Sequence, residues 1–321
     1  MKHTVVLTAA FPTIARAILA EDFDVVEHPT EHNRTEEDMI TLLDEADAAI
    51  TLLQDPITRR VLESNPHLRI VSNFAVGYNN VDIEAARELG VAVTNTPGVL
   101  TEATADLTMA LILAVTRRIV EGDAELRALG RCEWEPLKLL GASLQGKRLG
   151  IIGMGRIGSA VATRARAFGM EPVHPARRRG ISGSTGSARE INLEVSLDEL
   201  LATSDVVSLH APLTPETHHL LGGEALARMK AGSYVINTAR GALVDEEALC
   251  DALASGHIRG AGLDVYEHEP AVNPRLLAMK NVVLVPHIGS ATEEARNDMA
   301  RIAATNVLRY FRGLAPLHRV V

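Results

Sequence analysis

An arginine, a glutamate and a histidine each follow one of three short apolar runs. Arg240 comes after SYVINTA (233–239), Glu269 five residues after Asp264 in GLDVYEHE (262–269), and His287 directly after VVLVP (282–286). Such runs read as buried parallel strands, and open parallel sheets bind ligands beyond the carboxyl ends of their strands. An arginine fork holds a carboxylate at two points. A histidine donates a proton near neutral pH, and a neighbouring glutamate favours the imidazolium and fixes the ring. Each residue alone has an ordinary explanation: a surface ion pair, a helix cap, a hydrogen-bonded histidine. Together on one sheet edge they suit reduction of a 2-oxo acid, with Arg240 stabilising the charge that develops on the substrate oxygen.

The stretch GIIGMGRIG (150–158) carries Gly153, Gly155 and Gly158 at the G-x-G-x-x-G spacing. Leu149, Ile151 and Ile152 before it form a strand, and Ile157, Ala160, Val161 and Ala165 recur at helical spacing after it. Gly153 permits the tight turn, Gly155 lets a pyrophosphate approach the backbone, and Gly158 lets helix and strand pack closely. Arg156 and Ile157 open the helix, whose free N–H groups and positive dipole end face the phosphates.

Selectivity for NAD requires an acidic residue about 20 positions beyond the glycines. That slot falls at Ala176, followed at once by Arg177, Arg178 and Arg179. Loss of the carboxylate removes a ribose acceptor and a repulsion against phosphate, and each arginine–phosphate bond is worth about 1.5–3 kcal/mol. NADP(H) is therefore the expected cofactor, with NAD(H) as the alternative. Gly183–Ser187 either wraps the 2′-phosphate or is a plain loop. Pro172 and Pro175 depart from the usual strand pattern here. Leu52 and Leu53, at the end of an earlier strand, offer an apolar lid over a small substrate. His218 and His219 invite a metal reading, but on a helix adjacent side chains diverge by about 100° and no Cys/His pair completes a site, so no metal is expected.

Apolar runs and helical periods alternate from Thr4 to Val93, which implies a parallel sheet with helices on both faces. A long helix is expected from Thr101 to Leu129, buried in its own domain or covering an interface. A second β/α unit follows, and the last helix, Glu293–Phe311, returns to the first. The fold class expected is α/β with two doubly wound parallel-sheet domains. A flavodoxin-like substrate domain takes residues 1–98 and 288–321, and a Rossmann cofactor domain takes 99–287. Hinges are expected near Gly98–Glu102 and Ile288–Ala291.

With 321 residues, 46% apolar and 23% charged, the chain has room for two cores. A net charge of −9 argues against a nucleic-acid partner. Cys132 and Cys250 make no disulfide framework or metal spacing. The amino terminus lacks a signal-peptide pattern and no run is long enough to span a membrane, so a cytoplasmic protein is expected.

The chain resembles the D-2-hydroxyacid dehydrogenases over essentially its full length, and within them the glyoxylate/hydroxypyruvate reductases. The matching stretches are NFAVGYNNVD (73–82), TNTPGVLTEATADLT (94–108), GIIGMGRIG (150–158), HAPLTPET (210–217), INTARGALVDEEAL (236–249), GLDVYEHEP (262–270) and VPHIGSAT (285–292). The resemblance implies Arg240 as substrate anchor, His287 as proton donor and Glu269 as its partner. It implies that backbone N–H groups of Val76 and Gly77 help hold the substrate carboxylate, with Asp264 near the nicotinamide. It further implies Thr104, His210, Pro212, Thr238, Ala239 and Gly289 along the cofactor, and a homodimer with the helix after Thr101 in its interface. Trp134, the only tryptophan, lies where hydroxypyruvate reductases carry tryptophans that reach a neighbouring subunit. Another member of the family, of phosphoglycerate or phosphite type, is the alternative enzyme. A dinucleotide-sensing regulator is the alternative of another class, which the Arg240/Glu269/His287 set and the short tails disfavour. The chain's end soon after the last helix also argues against serine feedback.

Overall fold

A computed structural model describes residues 2–29, 33–175 and 193–321. In chain order the elements begin β1 (His3–Leu7), α1 (Thr13–Leu19), β2 (Phe23–Glu27), α2 (Glu36–Leu43), β3 (Ala48–Thr51), α3 (Arg59–Ser64), β4 (Ile70–Asn73), α4 (Ile83–Leu89) and β5 (Ala92–Thr94). Then come α5 (Thr101–Thr116), α6 (Ile119–Leu129), β6 (Arg148–Ile152), α7 (Arg156–Ala167), β7 (Glu171–Pro175), β8 (Leu193–Val195), α8 (Leu197–Thr203) and β9 (Val206–Leu209). The chain closes with α9 (Gly223–Arg228), β10 (Ser233–Asn237), α10 (Glu246–Ala254), β11 (Ile258–Leu263), α11 (Pro274–Ala278), β12 (Val282–Leu284) and α12 (Glu293–Phe311).

Two compact units result. The first contains residues 1–100 and 290–321, and the second 101–289. The second boundary falls two residues later than the expected 288, because Ile288 and Gly289 donate their N–H groups to Asp264 of the second unit.

The first unit has a parallel sheet in the order β2-β1-β3-β4-β5. All residues of β3 and β4 are buried, as expected of strands covered on both faces. Helix α12 lies over β4 through the fully buried Ala300, Ala303 and Ala304, and Ser72 Oγ donates to the Ala303 carbonyl at 3.1 Å. Side-chain caps fix the helix starts: Thr35 and Asp38 form a reciprocal capping box on α2, and Asp82 caps α4.

The second unit has a parallel sheet in the order β12-β11-β10-β9-β6-β7-β8. One face packs Ile152, Val207, Leu209, Val235 and Leu263 against α8, α9 and α10. The other packs Leu149, Ile151, Val206 and Ile236 against α5 and α7. This is the doubly wound arrangement, and the winding reverses between β6 and β9, where such sheets bind ligands.

The expected helix from Thr101 to Leu129 is two helices. The break comes at Arg118, in the left-handed region at φ +53°, its guanidinium forked onto both oxygens of Glu121. The halves differ in environment. Helix α5 buries Ala105, Met109, Leu111, Ile112 and Val115 in its own unit's core, whereas α6 has no buried residue and exposes Ile119, Val120, Leu126 and Leu129. Among the described residues no helix is long and apolar enough to cross a membrane.

Candidate active site

Strand register puts the site on one line. Ile152, Leu209, Asn237, Leu263 and Leu284 pair in succession across β6, β9, β10, β11 and β12. The residues just past that row are Gly153, His210, Thr238, Asp264 and Val285, so five strands deliver their loops to one carboxyl edge.

The glycine loop fits a dinucleotide. A Cβ on Gly153 would overlap the His210 backbone, and one on Gly158 would overlap the Gly153 carbonyl, so both positions are closed to any larger residue. At Gly155 a Cβ would meet nothing within 4 Å, which leaves open space over the start of α7. That helix has Gly155 as N-cap and no capping side chain, so its first N–H groups, with the exposed Arg156 and the half-buried Ile157, remain for an anionic ligand. On the neighbouring strand end His210 is half-buried, with its Nδ1 shielded from solvent. Its Nε2 pairs with Ser208 Oγ at 2.8 Å, while Nδ1 has no partner among the described residues. Burial pulls its pKa down to about 4, so the ring is neutral at pH 7. A buried, unpaired acceptor or donor beside the glycine loop is what a polar cofactor atom would satisfy. Pro212, exposed, continues this wall, its carbonyl accepting from Thr217 Oγ. Ala176, Arg177 and Arg178 lie outside the described residues.

The loop after β10 is built by Asn237. Its Oδ1 accepts the Ala239 N–H at 3.0 Å and its Nδ2 donates to the Arg240 carbonyl at 2.8 Å. Arg240 Nη1 donates to the Ala239 carbonyl at 2.6 Å. Burial lowers the guanidinium pKa, which the charge of Glu269 partly offsets. A Cβ on the next residue, Gly241, would overlap the Tyr266 carbonyl, so this loop presses directly on the one leading to Glu269.

His287 Nδ1 lies 3.0 Å from Glu269 Oε2. The other oxygen, Oε1, accepts the Tyr266 N–H at 3.0 Å. Burial pushes the Glu269 carboxyl upward, but the hydrogen bond and charge of His287, the Tyr266 amide and Arg240 outweigh it, and the pKa ends below the ordinary value. Tyr266 is fixed in turn by its hydroxyl, which donates to the Val285 carbonyl at 2.9 Å. The Gly289 carbonyl accepts from Thr104 Oγ at 3.0 Å, and Thr108 Oγ bonds Thr238 Oγ at 3.0 Å, tying α5 to the same edge.

The structure thus brings Arg240, Glu269, His287, Asp264, Thr104, Thr238, Ala239 and Gly289 to one edge with the glycine loop. Sequence reasoning missed Asn237, Tyr266, Ser208 and Thr108. The available signal was polarity: Asn237, Ser208 and Thr108 are polar positions inside apolar runs, where a buried polar group needs a structural partner. Leu53, Val76 and Gly77 belong to the first unit. Leu53 follows β3, and the Val76 and Gly77 carbonyls, past β4, accept from the Asn95 and Asn73 side chains at 2.7 and 2.9 Å.

The geometric reason for expecting no metal at His218 and His219 does not hold. The two residues lie in a turn rather than a helix, His219 has φ +49°, and their rings stack at 4.0 Å. Glu267 reaches them from the loop after β11, its Oε1 2.6 Å from His219 Nε2.

A family model described as D-isomer specific 2-hydroxyacid dehydrogenase, NAD binding domain, matches residues 109–289. The chain belongs to the D-isomer specific 2-hydroxyacid dehydrogenases. This dehydrogenase is 50% identical over 277 residues to the glyoxylate reductase of Thermococcus litoralis, a match covering 85% of this chain and 82% of that one. A solved protein of Thermus thermophilus superposes with a TM-score of 0.91 at 46% identity, covering 99% of this chain and 100% of its own. An NADPH-dependent glyoxylate/hydroxypyruvate reductase of Sinorhizobium meliloti, solved with NADP and malonate, gives a TM-score of 0.82 at 30% identity, covering 100% of this chain and 97% of its own. The dehydrogenase is therefore an oxidoreductase, and its second unit is a dinucleotide-binding domain.

Proposed function

We propose that this enzyme reduces a small 2-oxo acid, glyoxylate or hydroxypyruvate, to the corresponding 2-hydroxy acid, with NADPH preferred over NADH. The observation that carries the reading is the His287–Glu269 pair beside the Arg240 loop, on the edge that also holds the glycine loop.

A bound nicotinamide supplies the hydride to the 2-carbon. The protein's own part follows from its hydrogen bonds. Glu269 occupies His287 Nδ1, so Nε2 is the nitrogen left for substrate, and the imidazolium gives its proton to the substrate oxygen. The Arg240 fork holds the carboxylate and steadies the oxygen as charge develops there. Reduction consumes the imidazolium's proton, and the reverse oxidation returns one to the neutral ring.

The preference for NADPH rests on Ala176 in place of an acid and on Arg177 and Arg178 after it, and the Sinorhizobium relative uses NADPH by its description. The proposed assembly is a homodimer. It is supported by the exposed apolar residues of α6 and by Trp134 and Leu137, 83% and 80% exposed.

The deciding experiment is oxidation of NADPH and NADH by purified protein against glyoxylate, hydroxypyruvate and pyruvate. Turnover of the first two, lost in His287→Ala while cofactor still binds, is the expected result. No turnover with any 2-oxo acid despite cofactor binding would reject it. At least about tenfold better kcat/KM with NADPH is expected from one arginine–phosphate bond. Equal use of NADH would reject the reading of residues 176–178 alone.

A further inference from the structure

We propose that His218, His219 and Glu267 form a binding site for a divalent transition metal ion, with Zn²⁺ as the probe that best matches their chemistry. The donors come from two separate segments, the turn after β9 and the loop after β11. Their ligating atoms all lie within 4.8 Å of one another. Tetrahedral zinc holds nitrogen and oxygen ligands at about 2.0–2.2 Å, which sets neighbouring ligands roughly 3.3 Å apart. His219 and Glu267 already touch at 2.6 Å, and the exposed His218 is free to rotate onto the ion.

The backbone beneath the donors is fixed. The His219 N–H donates to the Ala242 carbonyl at 2.8 Å and the Leu221 N–H to that of Leu243 at 3.0 Å. The Glu267 N–H donates to Glu246 Oε1 at 2.7 Å, and Glu267 Oε2 accepts the Glu246 N–H at 3.4 Å. Glu267 thus keeps Oε1 for the ion while Oε2 is held from behind, the outer support that oriented carboxylate ligands use. Local charge favours a cation. The buried Glu246 lies directly behind Glu267, so two carboxyl groups face the two imidazoles. Two imidazoles and one carboxylate select zinc, cobalt, nickel or copper over magnesium or calcium. The fourth position, on the side of His218, opens to solvent and takes water.

An ion there would be a clamp. It would join the turn carrying Pro212 to the loop carrying Asp264 and Glu269, and through Ala242 to the segment behind Arg240. The inference needs no particular substrate and stands apart from the proposed reaction.

The test uses the full chain without a histidine tag, freed of metal by chelator, and titrated calorimetrically with ZnCl₂ and with MgCl₂. A cobalt titration read by visible absorption reports tetrahedral geometry. The proposal expects one zinc per chain, a raised thermal midpoint, no response to magnesium, and the same binding in Cys132→Ser, which removes the exposed thiol. His218→Ala should weaken zinc binding at least about tenfold and abolish the rise in midpoint, while its metal-free midpoint and kcat/KM match wild type. If that variant is itself less stable, His218→Gln repeats the measurement with a side chain of similar bulk. Absence of stoichiometric zinc binding, or binding unchanged by substitution of His218, overturns the proposal.

Discussion

Asp264 holds His287 by the backbone. The Asp264 carbonyl accepts the His287 N–H at 2.9 Å, Oδ1 accepts the Ile288 N–H at 2.6 Å and Oδ2 the Gly289 N–H at 2.8 Å. His287 needs this hold because it sits at φ +52°, which costs a residue with a side chain on the order of 1–2 kcal/mol. Burial pushes the Asp264 carboxyl up to about 6, against the pull of the Ile288 amide, the His287 charge and the Gly289 amide. Once protonated, it cannot accept both amides equally well. Reduction should therefore fall as pH drops through about 6. Stability has the opposite sign. The folded-state pKa lies above the ordinary value of 3.8, so this group's contribution is full below that value and declines as pH rises from 3.8 to about 6. Asp264→Asn should lower kcat by about 10²-fold through misplacement of His287, remove the acid limb near pH 6, and flatten the thermal midpoint across that window. An acid limb that survives the substitution would assign it to another group.

Arg240→Lys isolates the fork. The guanidinium is largely buried beside Glu269, in a loop built by Asn237. A lysine keeps the charge and loses the planar pair of donors. The kcat/KM for the 2-oxo acid should fall about 10²–10³-fold, with the dissociation constant of NADPH unchanged by fluorescence titration. A matching loss of cofactor affinity would mean that Arg240 serves the dinucleotide instead.

Two glycines should behave in opposite ways. Gly241→Ala drives a methyl into the Tyr266 carbonyl, backbone against backbone. It should cost about 2–3 kcal/mol of stability or prevent folding. Gly155→Ala meets no protein atom within 4 Å, and its φ of −89° suits alanine. It should leave stability within about 0.5 kcal/mol of wild type, while weakening dinucleotide binding by filling the space over α7. Calorimetric unfolding and cofactor titration on both variants check the contrast. Equal destabilisation by both would show that Gly155 is also a structural glycine.

Much of this is legible in the sequence because strands are written in apolar runs. SYVINTA, AGLDV and VVLVP show where β10, β11 and β12 end, and a parallel sheet puts all such ends on one side, so Arg240, Glu269 and His287 group together without knowledge of any contact. The two parallel sheets follow from the same alternation. What escapes is set by contacts between segments distant in sequence. Nothing local to Asp264 reveals that both its oxygens bind amides 24 and 25 residues later. Tyr266 gives no sign that Gly241 presses on its carbonyl. The 101–129 run has an unbroken helical composition, yet the Arg118 fork onto Glu121 fits a left-handed break there. The His218–His219 pair misleads because one positive φ, at His219, reverses the divergence that a helix imposes.

The α6 face gives the last prediction. Ile119, Val120, Leu126 and Leu129 are all exposed on a helix without a buried residue, and Trp134 and Leu137 follow in the next segment. Six large apolar side chains grouped in one region of sequence exceed the scattered exposure normal for a monomer. A second copy of the chain is the proposed cover, because a two-fold axis presents the same patch to itself. Leu126→Glu combined with Ile119→Glu should convert a dimer to a monomer by light scattering at micromolar concentration. Each buried charge left unpaired would cost several kcal/mol in the dimer and nothing in the solvated monomer. A wild type already monomeric at that concentration, or a double variant that stays dimeric, would place the self-contact elsewhere or remove it.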